Sequence, residues 1–360
     1  MVRLQSFGAT SASPGRKTAT RLGRRELLIA GASLALAACG RSQPLTASRT
    51  PRLDMKRLAN EVGALAQRAL PGVLGFGLMN LESGEFWDRL GDRHFPMMSV
   101  FKLPLGAYAL SEADAGRLSL AETITITGED LSPPLSPIAD AWPGRTTYTV
   151  GELFTAAVSN SDNTAADVLM RRVGGPGAVS GWLQAKGVDE VRVDRYEREL
   201  SPNALGMASF RAAWKGAAAF DAAVATVPPA QRHAATLAYM ADPKDSATPR
   251  GMLGLLRKLD EGSLISAAST RKLLLTLQGT PRGVDRIRAG LPKGASFAHK
   301  PGTSATDQGL TAAFNDVGIF TLPDRRSYAI AAFLTGSTSP ERDRAALFAD
   351  LGRTAVRSVG

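Results

Sequence analysis

Apolar and polar positions along the chain fall into three blocks. Over residues 55–70, Leu58, Val62, Leu65 and Leu70 recur at helical spacing and predict an amphipathic helix. The following "GVLGFGLMN", a Ser83–Gly84 turn and "EFWDRLG" read as the two arms of a β-hairpin. From about 98 to 280 the period is mostly helical, with loops at "SPPLSPIADAWPG" and through the 190s to 240s. Strand-like runs return in "SFAHKPGTS", "TAAFNDVGIFTL" and "SYAIAAFLTGS", before a closing helix near 340–357. Strands at both ends with helices between predict an α+β class. Its one antiparallel sheet would take five strands from the two chain ends, beside an all-α lobe over 98–280.

A different pattern precedes these blocks. "RLGRRELLIAGASLALAACG" has a twin arginine, Arg24 and Arg25, then an apolar run from Leu27 to Ala38 and then Cys39. That run is twelve residues, too short for a bilayer core that needs about twenty. It suits the apolar region of an export signal of twin-arginine type. Leu36-Ala37-Ala38-Cys39 resembles a bacterial lipobox, and Cys39 is the only cysteine of the chain, so no disulfide can form within it. The expected organisation is an export signal at 1–38, a polar Pro/Ser-containing tether at 39–55 and a catalytic domain from 56 to 360. The expected location is the periplasm, on a lipid anchor at Cys39. That anchor is the only expected membrane contact.

Charge and composition narrow the classes. The net charge of +10 suggests a polyanion partner, but six basic residues against one acid lie within 1–38. The remaining excess is unremarkable, and no basic stripe alternates with aromatics, so no nucleic-acid partner is expected. An apolar fraction of 44% with 21% charged residues is that of an ordinary globular protein. Only His94, His233 and His299 are histidines, none in a paired ligand spacing, so neither a metal nor another cofactor is expected. No Gly-x-Ser-x-Gly elbow is present for a histidine-based triad, and His299 on its strand reads as structural.

Serine chemistry driven by lysine remains. "MMSVFKLPL" holds Ser99 and Lys102, and at the start of a helix positions i and i+3 share a face. A lysine amine there can take the proton of a hydroxyl that is otherwise a weak nucleophile. A helix N-terminus also points backbone N–H groups at a developing oxyanion. Alone the pattern is weak, since Ser269 and Lys272 repeat it on a solvated helix face and Ser201-Pro-Asn203 repeats Ser-x-Asn. The specificity lies in the set: Ser161-Asp162-Asn163, then Glu197 in "DRYEREL", then Lys300-Pro301-Gly302 in "AHKPGTS". A second hydroxyl can relay a proton, an amide can hold a lysine, a carboxylate can activate water, and a strand lysine can anchor an anion.

From about residue 56 to the end the chain resembles the class A serine β-lactamases. The likeness extends to "TVGELFTAAVSNSDNTAADVLM", "DSATPRGMLGLLRKL", "GVDRIRAGLP" and "NDVGIFTLPDRR". The resemblance implies a two-lobe fold and a monomer that takes β-lactams as substrate. It implies Ser99 as acylated nucleophile, Lys102 as neighbouring base, Ser161 as proton relay and Glu197 as activator of the deacylating water. Asn163 would position Lys102 and substrate, and the backbone N–H groups of Ser99 and Thr303 would form the oxyanion hole. Lys300 and Gly302 of the strand motif, with Arg286, would hold the substrate carboxylate.

Four positions depart from the family pattern. Pro301 replaces a hydroxyl residue that binds the substrate carboxylate, which predicts an edge strand, where proline breaks no ladder bond, and weaker activity. Ser201 stands in place of an asparagine that helps hold the water. Leu135 stands where many relatives place an aromatic at the cleft mouth. The stretch from Glu197 to Pro249 is roughly 35 residues longer than usual, far beyond an ordinary connection. An Arg195–Asp245 bridge is expected to close it. The insert reads as a lid or as an inert packed excursion, with the inert reading preferred. The rivals to a hydrolase are a penicillin-binding D,D-peptidase-like enzyme and a non-hydrolytic lipoprotein that binds β-lactams or cell-wall fragments.

Overall fold

A computed structural model describes residues 52–359. The export signal, Cys39 and most of the tether lie outside the described residues. Strand β1 (Val73–Asn80) turns back into β2 (Phe86–Arg89), and β3 (Ser296–Thr303), β4 (Phe314–Thr321) and β5 (Ser327–Thr335) follow near the C-terminal end. They form a five-stranded sheet in the order β2-β1-β5-β4-β3, every neighbouring pair antiparallel. The first hairpin therefore adds to the last, with Val73 opposite Thr335, as strands at both ends had implied.

Alternation along the strands serves two cores. Leu74, Phe76 and Leu78 of β1 share one apolar cluster with Tyr328, Ile330 and Leu334 of β5. Helices α1 (Met55–Arg68) and α11 (Glu341–Arg357) cover that face through Leu58, Val62, Phe348 and Leu351. The other face carries Ala329, Ala331 and Phe333 and meets the helical part of the chain. There Gly75 and Gly77 are small for a reason. A Cβ at Gly77 would lie 2.7 Å from Leu253 Cδ1, and one at Gly75 2.4 Å from the Phe95 ring.

The helical part runs from α2 (Lys102–Asp114) through α3 (Val150–Val158), α4 (Asn163–Arg172), α5 (Pro176–Ala185) and α6 (Glu197–Asn203). It continues in α7 (Ala217–Ala225), α8 (Pro229–Ala241), α9 (Pro249–Asp260) and α10 (Ala267–Gln278), with a single helical turn at Pro137–Ala141. Helix α2 is its axis, and Leu103, Leu105, Ala107, Ala109 and Leu110 are all buried. Thr149 caps α3 and Asp162 caps α4, each accepting the backbone N–H three residues on. The predicted insert folds as α7 and α8. The expected bridge at its base is present: Arg195 Nε lies 2.6 Å from Asp245 Oδ2. Among the described residues no helix is long and apolar enough to cross a membrane.

Candidate active site

Ser99 lies in a 3₁₀ turn, Met98–Phe101, that runs directly into α2 at Lys102. The sequence suggested an α-helical opening; the tighter turn makes i and i+3 eclipse instead. Lys102 Nζ consequently stands 3.1 Å from Ser99 Oγ. Met98 (φ 46°) and Ser161 (φ 63°) are both left-handed non-glycine residues, a conformation that costs about 1–3 kcal/mol and persists only where the surroundings hold it. Around Met98 that support is visible. The Tyr239 hydroxyl of α8 donates to its sulfur at 2.9 Å, and Leu200 and Ala313 pack beside it.

Lys102 is fully buried with four oxygen neighbours. Besides Ser99 these are Ser161 O at 2.9 Å, Asn163 Oδ1 at 2.5 Å and Glu197 Oε1 at 3.1 Å. The Glu197 carboxylate is also buried and also reaches the nucleophile, since Ser99 Oγ donates to Oε1 at 3.4 Å. Its other oxygen accepts from Ser201 Oγ at 2.8 Å. Ser201, one of the departures from the family pattern, is thus a direct partner of the carboxylate.

Glu197 owes its position to a residue that the motifs did not single out. Asp167 of α4 is buried and accepts from the Glu197 N–H at 2.7 Å, the Arg198 N–H at 2.9 Å and Ser132 Oγ at 2.6 Å. It thereby closes the N-terminus of α6, where orphan N–H groups favour a carboxylate. Burial, aided by the nearby Glu197 charge, pushes its carboxyl up to about 7. An acid within the apolar "TAADVLM" was the available signal.

Across the site, Lys300 Nζ donates to Ser161 Oγ at 2.9 Å. Lys300 is fully buried and does not itself line the cavity, so it acts from behind Ser161. Burial, then the charges of Lys102 and Arg286, push its ammonium well below the usual lysine range. Arg286, buried but lining the cavity, and the exposed Thr303 stand on that wall instead: Arg286 donates to Thr303 Oγ1 at 2.6 Å and to Asn315 O at 2.7 Å. Its guanidinium also lies over the Phe314 ring, 3.7 Å from the centroid.

Gly302 is where β3 comes up against the nucleophile turn. A Cβ there would meet Met97 O at 2.3 Å and Val100 N at 3.1 Å, so only glycine allows this approach. Asn315 of β4 ties down the same segment, donating to Pro96 O and Met97 O. Pro301 lines the cavity on β3, which is an edge strand of the sheet. His299 is away from the cavity, buried against Asp316 with Nδ1 2.7 Å from Oδ1 and stacked on Phe297.

The cavity measures about 650 Å³, with Ser99, Ser161, Asn163, Glu197 and Ser201 on its walls. Leu135 stands at its mouth, 55% exposed. The insert was expected as an inert excursion, yet Ala217, Phe220, Asp221 and Thr236 all line the same cavity. The apolar runs of α7 and α8 suggested a packed excursion, but only Phe220, Thr236 and Tyr239 are buried in them, and nothing in the runs showed that they would face the site.

A serine between a buried lysine and a buried carboxylate, faced by a second serine–lysine pair, defines the serine acyl-transfer enzymes as the class. Comparison narrows it: residues 56–359 match the model of the Beta-lactamase enzyme family. The chain belongs to the class A serine β-lactamase family. It is 31% identical over 265 residues to the Pseudomonas aeruginosa extended-spectrum β-lactamase PER-1, covering 73% of this chain and 75% of that protein. It is 28% identical over 283 residues to β-lactamase VEB-1 of the same organism, covering 78% and 83%. The crystal structure of a β-lactamase from Chitinophaga pinensis superposes with a TM-score of 0.69 at 32% identity, covering 84% of this chain and 98% of that one.

Proposed function

We propose that the protein hydrolyses the amide bond of β-lactams in two steps through an acyl-enzyme on Ser99. In the first, Ser99 Oγ gives its proton to the Lys102–Glu197 pair and bonds to the lactam carbonyl carbon. The backbone N–H groups of Ser99 and Thr303 receive the oxyanion. As the C–N bond breaks, Ser161 Oγ passes its proton to the leaving nitrogen and takes one back from the Lys102–Glu197 pair, which is thereby restored. Lys300 donates to that oxygen, which leaves the Ser161 hydroxyl hydrogen free for transfer. Arg286 and Thr303 hold the substrate carboxylate. In the second step Glu197, steadied by Ser201, takes a proton from water that attacks the ester carbonyl and returns it to Ser99 Oγ as the acyl–oxygen bond breaks.

The observation that carries this reading is the carboxylate, 3.4 Å from the nucleophile and 3.1 Å from its lysine. A protein not built for fast hydrolysis of the lactam acyl-enzyme has no need of such a base, and this argues against the D,D-peptidase-like and binding-lipoprotein alternatives. Stopped-flow hydrolysis of a chromogenic cephalosporin by the protein from residue 40 onward, beside Glu197→Ala, tests it. Steady turnover is expected in the first and a single acylation burst in the second. A single burst in both would replace hydrolysis by acylation without release. We infer, further, that the protein is exported and lipid-anchored through Cys39, on the strength of the leader pattern.

A further inference from the structure

The long insert has no task in the two-step reaction, yet it is fastened to the site at several points. Tyr239 bonds to Met98 beside the nucleophile, as described. Arg232 forms an ion pair of 2.9 Å with Asp307, in the short ribbon Thr306–Thr311 beyond β3. Gln308 of that ribbon donates to Pro229 O at 2.8 Å, and the Phe220 ring lies 6.0 Å from that of Phe210. So held, α7 turns Ala217, Phe220 and Asp221 toward the cavity, next to Leu205. Thr236 lines it too, but its hydroxyl is committed to Ala204 O at 3.1 Å.

Asp221 is therefore the one charged group that the insert adds to the wall, and among the described residues no ion pair engages it. The cationic lining comes from another segment, where Arg282 and Arg286 stand with Asp285, and Glu341 lines the cavity beside them. A substrate carboxylate belongs with Arg286. The insert offers the rest of the substrate an apolar surface edged by an unpaired carboxylate.

We propose that α7 forms a side-chain subsite that favours β-lactams whose acyl side chain carries a protonated amine, with Asp221 as the specificity-determining residue. The proposal rests on the hydrolase reading above. Asp221 is exposed, so the preference is modest and weakens as salt is added. Three penicillins alike except at the α-carbon of a phenylacetyl side chain, bearing hydrogen, ammonium or carboxylate there, supply the probe. Their kcat/KM values are measured for wild type, Asp221→Asn and Asp221→Lys.

Asparagine is expected to lower the ammonium compound by about threefold, the size of an exposed charge pair. It should raise the carboxylate compound and leave the hydrogen compound unchanged; lysine should widen both effects, and high salt should shrink them. Equal changes in all three compounds, or none, would overturn the proposal, and thermal melting separates either result from misfolding. Failure of wild type to turn over the hydrogen compound would instead overturn the hydrolase reading, and this proposal with it.

Discussion

Pro301 and Asp167 show how single residues set the working range of the site. Pro301 is tolerated because β3 ends the sheet, and it lies against Gly283, whose added Cβ would come within 3.0 Å of the proline Cβ. The chemical cost is a missing donor where an anion must dock. A hydrogen bond to a charged group is worth about 1.5–3 kcal/mol. Pro301→Thr should therefore raise kcat/KM by roughly 10–100-fold; an unchanged value on every substrate tried would refute this account of the proline. Asp167 acts on stability. Its folded-state carboxyl titrates at about 7, above the usual carboxylate range. The proton it holds favours the folded state fully at low pH, and that advantage is lost as pH climbs toward and through 7. Asp167→Asn should flatten the dependence of Tm on pH between about 4 and 7 and, because its amide nitrogen cannot accept from the donors that both Asp167 oxygens receive, lower Tm throughout that range. Melting curves across that range would show it.

At the scale of elements, the ends of the chain were easier to read than its middle. Along β1 alternation was plain because Leu74, Phe76 and Leu78 meet one core while the glycines between them admit helix α9 on the other face. That Ser99, Lys102, Ser161, Asn163 and Glu197 would meet was legible because each candidate has a chemical reason for its residue type, whatever its neighbours. Asp167 and Asn315 were not, since both act on backbone brought from elsewhere, and no local pattern records that. The insert failed for a related reason: apolar runs announce burial without naming the surface that buries them. Its fastening can be weighed directly. Arg232→Ala leaves the half-buried Asp307 without its ion-pair partner and removes one of the two ties between α8 and the ribbon, so KM should rise more for substrates with large acyl side chains than for small ones. Steady-state kinetics on two such substrates would decide, and equal shifts in both would disprove a wall role.

On the scale of the whole molecule, the leader and the catalytic domain make separate demands. Of the net charge of +10, six basic residues against one acid lie within 1–38, so half of the excess precedes the domain. Labelling cells with a radioactive fatty acid should mark the wild-type protein and leave Cys39→Ala unmarked, whereas equal labelling would remove the anchor. The domain carries its own constraint in time. Strand β1 is made early, but it pairs with β5, whose residues are among the last to be synthesised. At typical ribosomal speeds the first hairpin therefore waits on the order of ten seconds or more for its neighbour. Through that interval Leu74, Phe76 and Leu78 have no completed core to enter, so the emerging chain depends on being shielded until its final strands arrive.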